Sequence, residues 1–228
     1  MTLSETVVFL QASPLFQGLQ AEELAALAPL WHPRICPRRT ALMTANDEGD
    51  LIYLLVSGSV KIFLERPDGD VVLGLRGAGE LLGEISLVDA GARSATVETM
   101  EKSAVLWASR HEMMRAIDRT PRIMHNLARI LSSRLRLATA QIQALSRLDV
   151  RARLARQLLA LADDCGQKKP TGTLIPLRVT QNILAEMVGA SRVSVNLTFL
   201  DWREKGILVD LPNHRIMICN RGALEAEL

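Results

Sequence analysis

Along residues 121–149, apolar side chains recur at Met124, Leu127, Leu131, Leu135, Ala138, Ile142 and Leu145, in steps alternating between three and four. That is a heptad seam, and its length predicts a helix that pairs with a second copy in a two-stranded coiled coil. The stretch has no Gly, and its only Pro, Pro121, stands at the first position, where a helix tolerates it. Thr120 is placed to serve as N-cap. At about 1.5 Å per residue the helix would run for roughly 40 Å, longer than one small core requires. A second apolar line, Ile123, Ile130 and Leu137, faces elsewhere and is expected to pack on the helix's own domain. An ordinary amphipathic core helix is the plainer alternative. The flanking segments favour a dimer seam that also connects two domains.

Before this helix the pattern changes. Residues 4–30 read as short helices broken at Pro14 and Gly18. From about Trp31 to Ser109, runs such as DLIYLLVSG, SVKIFLE, DVVLGLRG, SATVETM and SAVLWAS carry β-branched residues with partial alternation. Turn signals separate them: Asn46-Asp47-Glu48-Gly49, Ser57-Gly58, Asp68-Gly69 and Gly77-Ala78-Gly79. Many short strands with Gly turns predict an antiparallel barrel or sandwich. Asp68-Gly69 between two apolar runs predicts a hairpin. Helix resumes with RHEMMRAIDRT.

After the long helix, VRARLARQLLALADDCG is a further amphipathic helix ending at Gly166; QKKPTGTL reads as loop and LIPLRV as a short strand. A helix–turn–helix pattern follows. Thr180 is a natural N-cap, Ile183, Leu184 and Met187 form a buried face, and Gly189 stands where the turn needs a left-handed residue. Ser191 caps the second helix, whose core contacts are expected from Val195, Leu200 and Trp202. VDLPNHRIMICN then reads as a hairpin around Pro212-Asn213. Such a helix pair lays its second member in the DNA major groove with its N-terminal residues at base edges. Thr180, Gln181, Ser191, Arg192, Val193, Ser194 and Asn196 are therefore candidate DNA contacts, with Arg192 suited to bidentate pairing with guanine.

Charge supports that division. The net charge of +2 conceals 8 basic against 14 acidic residues in 1–109, and 19 against 11 in 110–228. A basic C-terminal half suits a polyanionic partner. No apolar run approaches the roughly 20 residues of a membrane span, and MTLSETVVFLQASP lacks the basic region of a signal peptide. Cys36, Cys165 and Cys219 are scattered and odd in number, fitting neither a disulfide framework nor a metal cluster, so a cytoplasmic location is expected. An iron–sulfur cluster needs about four cysteine ligands, and His32 and His111 lack a haem-ligand context, so neither group is expected. Nothing resembles GxSxG or HExxH, and no enzymatic activity is expected.

One motif remains, GELLGEISLVDAGARSATVE at residues 79–98. An Arg can neutralise a phosphate while a Ser hydroxyl and nearby N–H groups complete the site. Glu84 would repel that phosphate and is better used as acceptor for a sugar hydroxyl. From chemistry alone, these could equally be turn residues and a surface ion pair. The order of parts is more specific: a barrel with GEIS…RSA, a long dimer helix, then an SRVSV helix–turn–helix with a wing. Over roughly residues 10–220 this resembles the cyclic-AMP receptor protein and FNR (CRP/FNR) family of bacterial transcription regulators.

The resemblance implies an α+β chain with three parts: an effector-sensing, cyclic-nucleotide-binding-like β-barrel (jelly roll) over 1–119, a dimerisation helix over 120–148, and a winged helix–turn–helix over 149–228. It implies that Gly83 and Glu84 hold the ribose of cyclic AMP, and that Arg93 and Ser94 bind its phosphate, with Ile85, Ser86 and Ala95 in the same motif. The family's Thr-Ser adenine contact is here Ala138-Thr139, of which only Thr139 keeps a hydroxyl. Its Arg-Glu-Thr-Val-Gly-Arg reading segment is here Arg192-Val193-Ser194-Val195-Asn196-Leu197, so the target site should differ. A homodimer on a near-palindromic operator, with RNA polymerase as a further partner, is expected. Two other readings stay open: a constitutive regulator needing no nucleotide, and a nucleotide-binding module whose C-terminal domain binds protein.

Overall fold

The computed structural model describes residues 1–67 and 69–228. In chain order the elements are helices α1 (Leu3–Ala12) and α2 (Ala21–Leu27), then strands β1 (His32–Cys36), β2 (Ala41–Met43), β3 (Leu51–Ser57), β4 (Ser59–Leu64), β5 (Val71–Gly77) and β6 (Leu81–Leu82). Helix α3 (Glu84–Asp89), strands β7 (Thr96–Thr99) and β8 (Ser103–Ser109), and helices α4 (Arg110–Arg119), α5 (Arg122–Arg147) and α6 (Val150–Cys165) follow. The chain ends with β9 (Gln167–Lys169), β10 (Gly172–Ile175), α7 (Gln181–Val188), α8 (Arg192–Glu204), β11 (Leu208–Leu211), β12 (Arg215–Ile218) and α9 (Arg221–Glu225). Packing divides it into two units, residues 1–62 with 76–137 and residues 63–75 with 138–228, so that the division falls inside α5.

Two antiparallel sheets, ordered β1-β8-β3-β6 and β2-β7-β4-β5, form the N-terminal β-structure. The uninterrupted apolar run in β3 has a direct cause. Ile52 and Leu54 point to a core shared with α1, α2, α4 and α5, whereas Tyr53 and Leu55 point to a second core with Cys36, Val60, Leu82 and Val105. A strand covered on both faces has no polar side, so alternation disappears. Strands β1 and β2 are short and carry little pattern, and their pairing with β8 and β7 is what reveals them. The hairpin expected at Asp68-Gly69 turns on Asp68, which lies outside the described residues; its flanking strands β4 and β5 are hydrogen-bonded neighbours.

Helix α5, 26 residues long, divides its faces differently from a pure heptad seam. Leu127 is 0% exposed and sits with Ile123 in its own unit's core, where Met124, Ile130 and Leu131 also pack. Leu127 is thereby corrected: it is not available to a partner chain. Asn126, buried beside it, donates to the carbonyls of Leu15 and Gln17, each at 2.9 Å. Farther along, Leu135 and Ile142 are 69% and 68% exposed, and Ala138 and Leu145 are exposed too. Leu137, expected on the domain-facing line, is also exposed. Thr120 closes α4, its N–H donating to the Ala116 carbonyl, and so acts as a C-cap there.

In the C-terminal unit, α6 begins at Asp149, whose side chain accepts from the Ala152 N–H at 2.8 Å, and stops at Gly166. The sheet order is β11-β12-β10-β9. QKKPTGTL is not a loop: Gln167–Lys169 pairs with Gly172–Ile175 across a turn at Pro170-Thr171, and Gly172, at φ of 142°, opens the second strand. Lysines are common on edge strands, where they discourage pairing with other chains, so polar composition concealed this hairpin. The strand expected over LIPLRV ends at Ile175, just before Pro176. The hairpin around Pro212-Asn213 forms as expected, with Leu211 opposite Arg215.

Because Leu127 fills core space, Leu127→Ala should lower the unfolding free energy of the N-terminal unit by about 2–5 kcal/mol. Urea denaturation measures this, and a loss within noise would remove Leu127 from the core.

Candidate functional site

Strand β6 ends at Leu82, and Gly83 turns the chain with φ of 86° to start α3. A side chain costs roughly 1–2 kcal/mol in that conformation, and a Cβ at Gly83 would lie 2.7 Å from Nη1 of Arg93. Arg93 comes from the loop before β7. Its N–H donates to the Asp47 carbonyl and its own carbonyl accepts from the Asn46 N–H, both at 2.9 Å. The turn at Asn46–Gly49 therefore holds Arg93 in place opposite Gly83.

The cleft is open to solvent, with about 360 Å³ of empty space counted out to its mouth. Gly83, Glu84, Ile85, Ser86, Arg93, Ser94 and Ala95 all line it, so these separated sequence positions meet. Met43, Ile62, Leu82 and Val97 complete the wall. Those four were not singled out in the sequence, because an inward apolar residue on a strand looks the same whether it faces a core or a ligand. Thr139 is exposed on α5 and is not among the lining residues.

Arg93 is only 6% exposed. Its Nη2 donates to the Leu51 carbonyl, while Nη1 is buried with no hydrogen-bond partner among the described residues. Burial pulls its guanidinium below the ordinary arginine value, and Tyr53, Asp50, Glu84 and Asp47 offset this only in part. A desolvated cation with a spare donor gains most from an anion. Glu84, also buried, pairs through Oε1 with Arg134 of α5. Arg134 further reaches Glu80 at 3.0 Å and the Leu81 carbonyl at 2.7 Å. Burial works against the Arg134 charge, but Glu84 and Glu80 outweigh it and hold its pKa above the ordinary value. Arg134, 54 positions from Glu80, carried no local signal in the sequence.

The C-terminal unit presents a second surface. The axes of α7 and α8 turn by 113°, within the range of a DNA-binding helix pair. Gly189 makes the turn at φ of 60°. Thr180 and Ser191 spend their hydroxyls on capping, accepting from the N–H groups of Ile183 at 3.3 Å and Ser194 at 3.1 Å. Arg192 and Val193 are exposed and Gln181, Ser194 and Asn196 half-buried. Val195, Phe199 and Trp202 form the buried face of α8, while Leu200 is exposed. Leu200 is corrected here: at about 100° per residue it points far from Val195, and Phe199 takes the core position.

Comparison with known proteins agrees with both surfaces. Residues 33–120 match the cyclic nucleotide-binding domain family, and residues 152–227 match the Crp-like helix-turn-helix domain. The chain is 34% identical over 200 residues to the cyclic AMP receptor protein of Thermus thermophilus, covering 87% of this chain and 89% of that one. It is 32% identical over 193 residues to a CRP-like cAMP-activated global transcriptional regulator of Mycobacterium tuberculosis, covering 84% and 86%. This chain belongs to the CRP/FNR family of bacterial transcription regulators. The solved structure of the c-di-GMP responsive global regulator CLP of Xanthomonas campestris superposes with a TM-score of 0.70 at 27% identity, over 87% of this chain and 99% of that one.

In this CRP/FNR-family chain, α8 is anchored by contacts that sequence reasoning missed. Arg151 at the start of α6 pairs with Asp201 of α8 and Glu227 near the C-terminus, and lies 5.4 Å from the Trp202 ring centre. The hydrogen bonds that Arg151 donates to Glu227 raise its pKa most, and the bond to Asp201 adds to this. Arg153 donates to the Val188 carbonyl at 2.8 Å, closing the end of α7. The wing hairpin exposes His214 and Arg215, two further donors for a phosphate backbone.

Gly83→Ala should strain the turn and crowd Arg93, lowering the unfolding free energy by about 1–2 kcal/mol. Thermal denaturation checks it, and unchanged stability would mean that the turn relaxes without cost.

Proposed function

We propose that this regulator is a homodimer that binds near-palindromic DNA in the cytoplasm and is modulated by a cyclic nucleotide, with cyclic AMP the first candidate. Residues 1–119 sense the effector, 120–148 form the dimer helix and 149–228 bind DNA. The observation that carries the effector assignment is the buried Arg93 guanidinium with an unpartnered Nη1 in the cleft. Arg93 and Ser94 would hold the phosphate, and Gly83 and the second oxygen of Glu84 the ribose. Thr139 would meet the base. The bound nucleotide would supply the anion that Arg93 lacks. Relatives named for activation by cyclic AMP support that ligand, and the c-di-GMP responsive regulator CLP makes the cyclic dinucleotide the natural competitor in any binding experiment. RNA polymerase is the proposed further partner.

Leu131, Leu135, Ala138, Ile142 and Leu145 are the proposed dimer contacts, joined at the edge by Met124. The exposed apolar positions on α5 support this, since single-chain packing leaves Leu135 and Ile142 in water.

Calorimetry should detect cyclic AMP binding to the wild-type chain and none to Arg93→Ala. Ala138 lacks a hydroxyl, a loss of about 0.5–1.5 kcal/mol, so affinity should fall by up to about tenfold relative to a chain with Thr there. DNA titration should then show appreciable affinity without nucleotide and a modest gain with it. No heat at millimolar cyclic AMP would sink the pocket assignment, and tight DNA binding only with nucleotide would sink the weak coupling.

Ile142→Glu would set like charges across a dry seam and should shift sedimentation from dimer to monomer. An unchanged dimer would remove the coiled coil.

A further inference from the structure

Helix α8 carries an apolar line that its own domain does not use. Val193, Leu197 and Leu200 are 68%, 61% and 42% exposed. Steps of four and three put them on one side of the helix. At about 100° per residue, that line stands roughly 160° from the buried face of Val195, Phe199 and Trp202. The line begins at the second residue of α8, beside the exposed cation Arg192.

We propose that Val193 and Leu197 read thymine through its C5-methyl group, so that each operator half-site carries thymine beneath the first turns of α8. The proposal rests on the DNA-binding function above and adds what the helix selects. Hydrocarbon side chains can neither donate nor accept, and a polar base edge pressed against one loses its water without replacement. On the major-groove floor of unmodified DNA the thymine methyl is the apolar group on offer. The two side chains lie about 6 Å apart along the axis, close to two base-pair steps of about 3.4 Å. Arg192 and Asn196 flank them with donors suited to guanine and adenine. The basic C-terminal half, with 19 basic against 11 acidic residues in 110–228, favours a nucleic acid over an apolar protein as occupant. Leu200 lies beyond, about 10 Å along the axis from Val193, and is not assigned to a base.

The test starts from an operator selected out of random DNA by the full-length wild-type chain. Each thymine is then replaced by deoxyuridine, which removes the methyl and leaves every hydrogen-bonding group, and affinity is read by fluorescence anisotropy. One or two positions per half-site should weaken binding about fourfold per methyl, or about 0.8 kcal/mol. Symmetric replacement in both half-sites should give about tenfold or more. In Val193→Ala or Leu197→Ala, one such position should become indifferent to thymine or deoxyuridine. Val193→Ser, which removes both methyls at an exposed position where a helix start tolerates Ser, should lose the same discrimination. Arg192→Ala should keep it while relaxing a guanine position. A flat deoxyuridine scan with specific binding intact would overturn the proposal and leave the DNA-binding function standing. Methyl discrimination surviving in both alanine variants would also overturn it, because the effect would then arise from DNA shape. If the selection yields no specific DNA, the DNA-binding function itself fails, and the apolar line belongs to a protein contact.

Discussion

One helix has to satisfy two demands along a single length, and much of this chain's organisation follows from that. The first turns of α5 are bound to their own core through Ile123, Leu127 and Asn126, while the turns after Arg134 leave Leu135 and Ile142 in water. A helix that is apolar on changing sides cannot be settled by one neighbour. Burial fixes its N-terminal half in the N-terminal unit. Arg134 stands where the two regimes meet, and its pairing with Glu84 and Glu80 ties the helix to the floor of the cleft. Whatever changes the charge beside Glu84 is therefore felt on α5 through a direct ion pair.

The cleft shows how buried charge becomes a binding property. Taking a guanidinium out of water is costly unless its donors are met, and here one nitrogen has a carbonyl while the other has nothing. Removing the charge would relieve that cost, and supplying an anion relieves it better. Gly83 contributes by absence, since a Cβ there would occupy the space next to Nη1. The carboxylate of Glu84 would disfavour an anion if it stood alone. Arg134 neutralises it, so the cleft keeps a paired carboxylate beside a buried cation with a donor to spare.

The second surface follows a different rule. The core side of α8 is closed by Val195, Phe199 and Trp202, and its orientation is held by Arg151 and by the Arg203–Asp210 pair at 2.9 Å. With position set from behind, the exposed side chains of Arg192, Val193 and Leu197 are left out of the core. This is why one helix–turn–helix frame can present Arg192 and Asn196 beside the hydrocarbons Val193 and Leu197. Two of its polar residues, Thr180 and Ser191, also serve as caps, their oxygens accepting from backbone N–H groups.

Local physics left a clear record in the sequence. The strand runs, the caps at Thr180 and Ser191, the left-handed Gly189 and the α6 stop at Gly166 each depend on residues within a few positions, so their pattern is complete in the chain itself. Gly83-Glu84 and Arg93-Ser94 stood out only through the family resemblance, since their local pattern fits turn residues and a surface ion pair equally well. Other features depend on what arrives from far away. Whether Leu127 faces a partner or its own core is decided by α1, α2 and β3, and heptad spacing cannot distinguish the two. Leu200 and Phe199 are neighbours of similar hydropathy, and only the packing of α8 decides which is buried. Edge hairpin β9–β10 was hidden because edge strands are allowed to be polar. Arg134 meets Glu84, and Arg151 meets Glu227, across separations that no local pattern records. Sequence therefore determined the elements and the chemistry present in them; tertiary packing decided which charges meet and which apolar faces stay exposed, because burial and ion pairing are properties of neighbours in space.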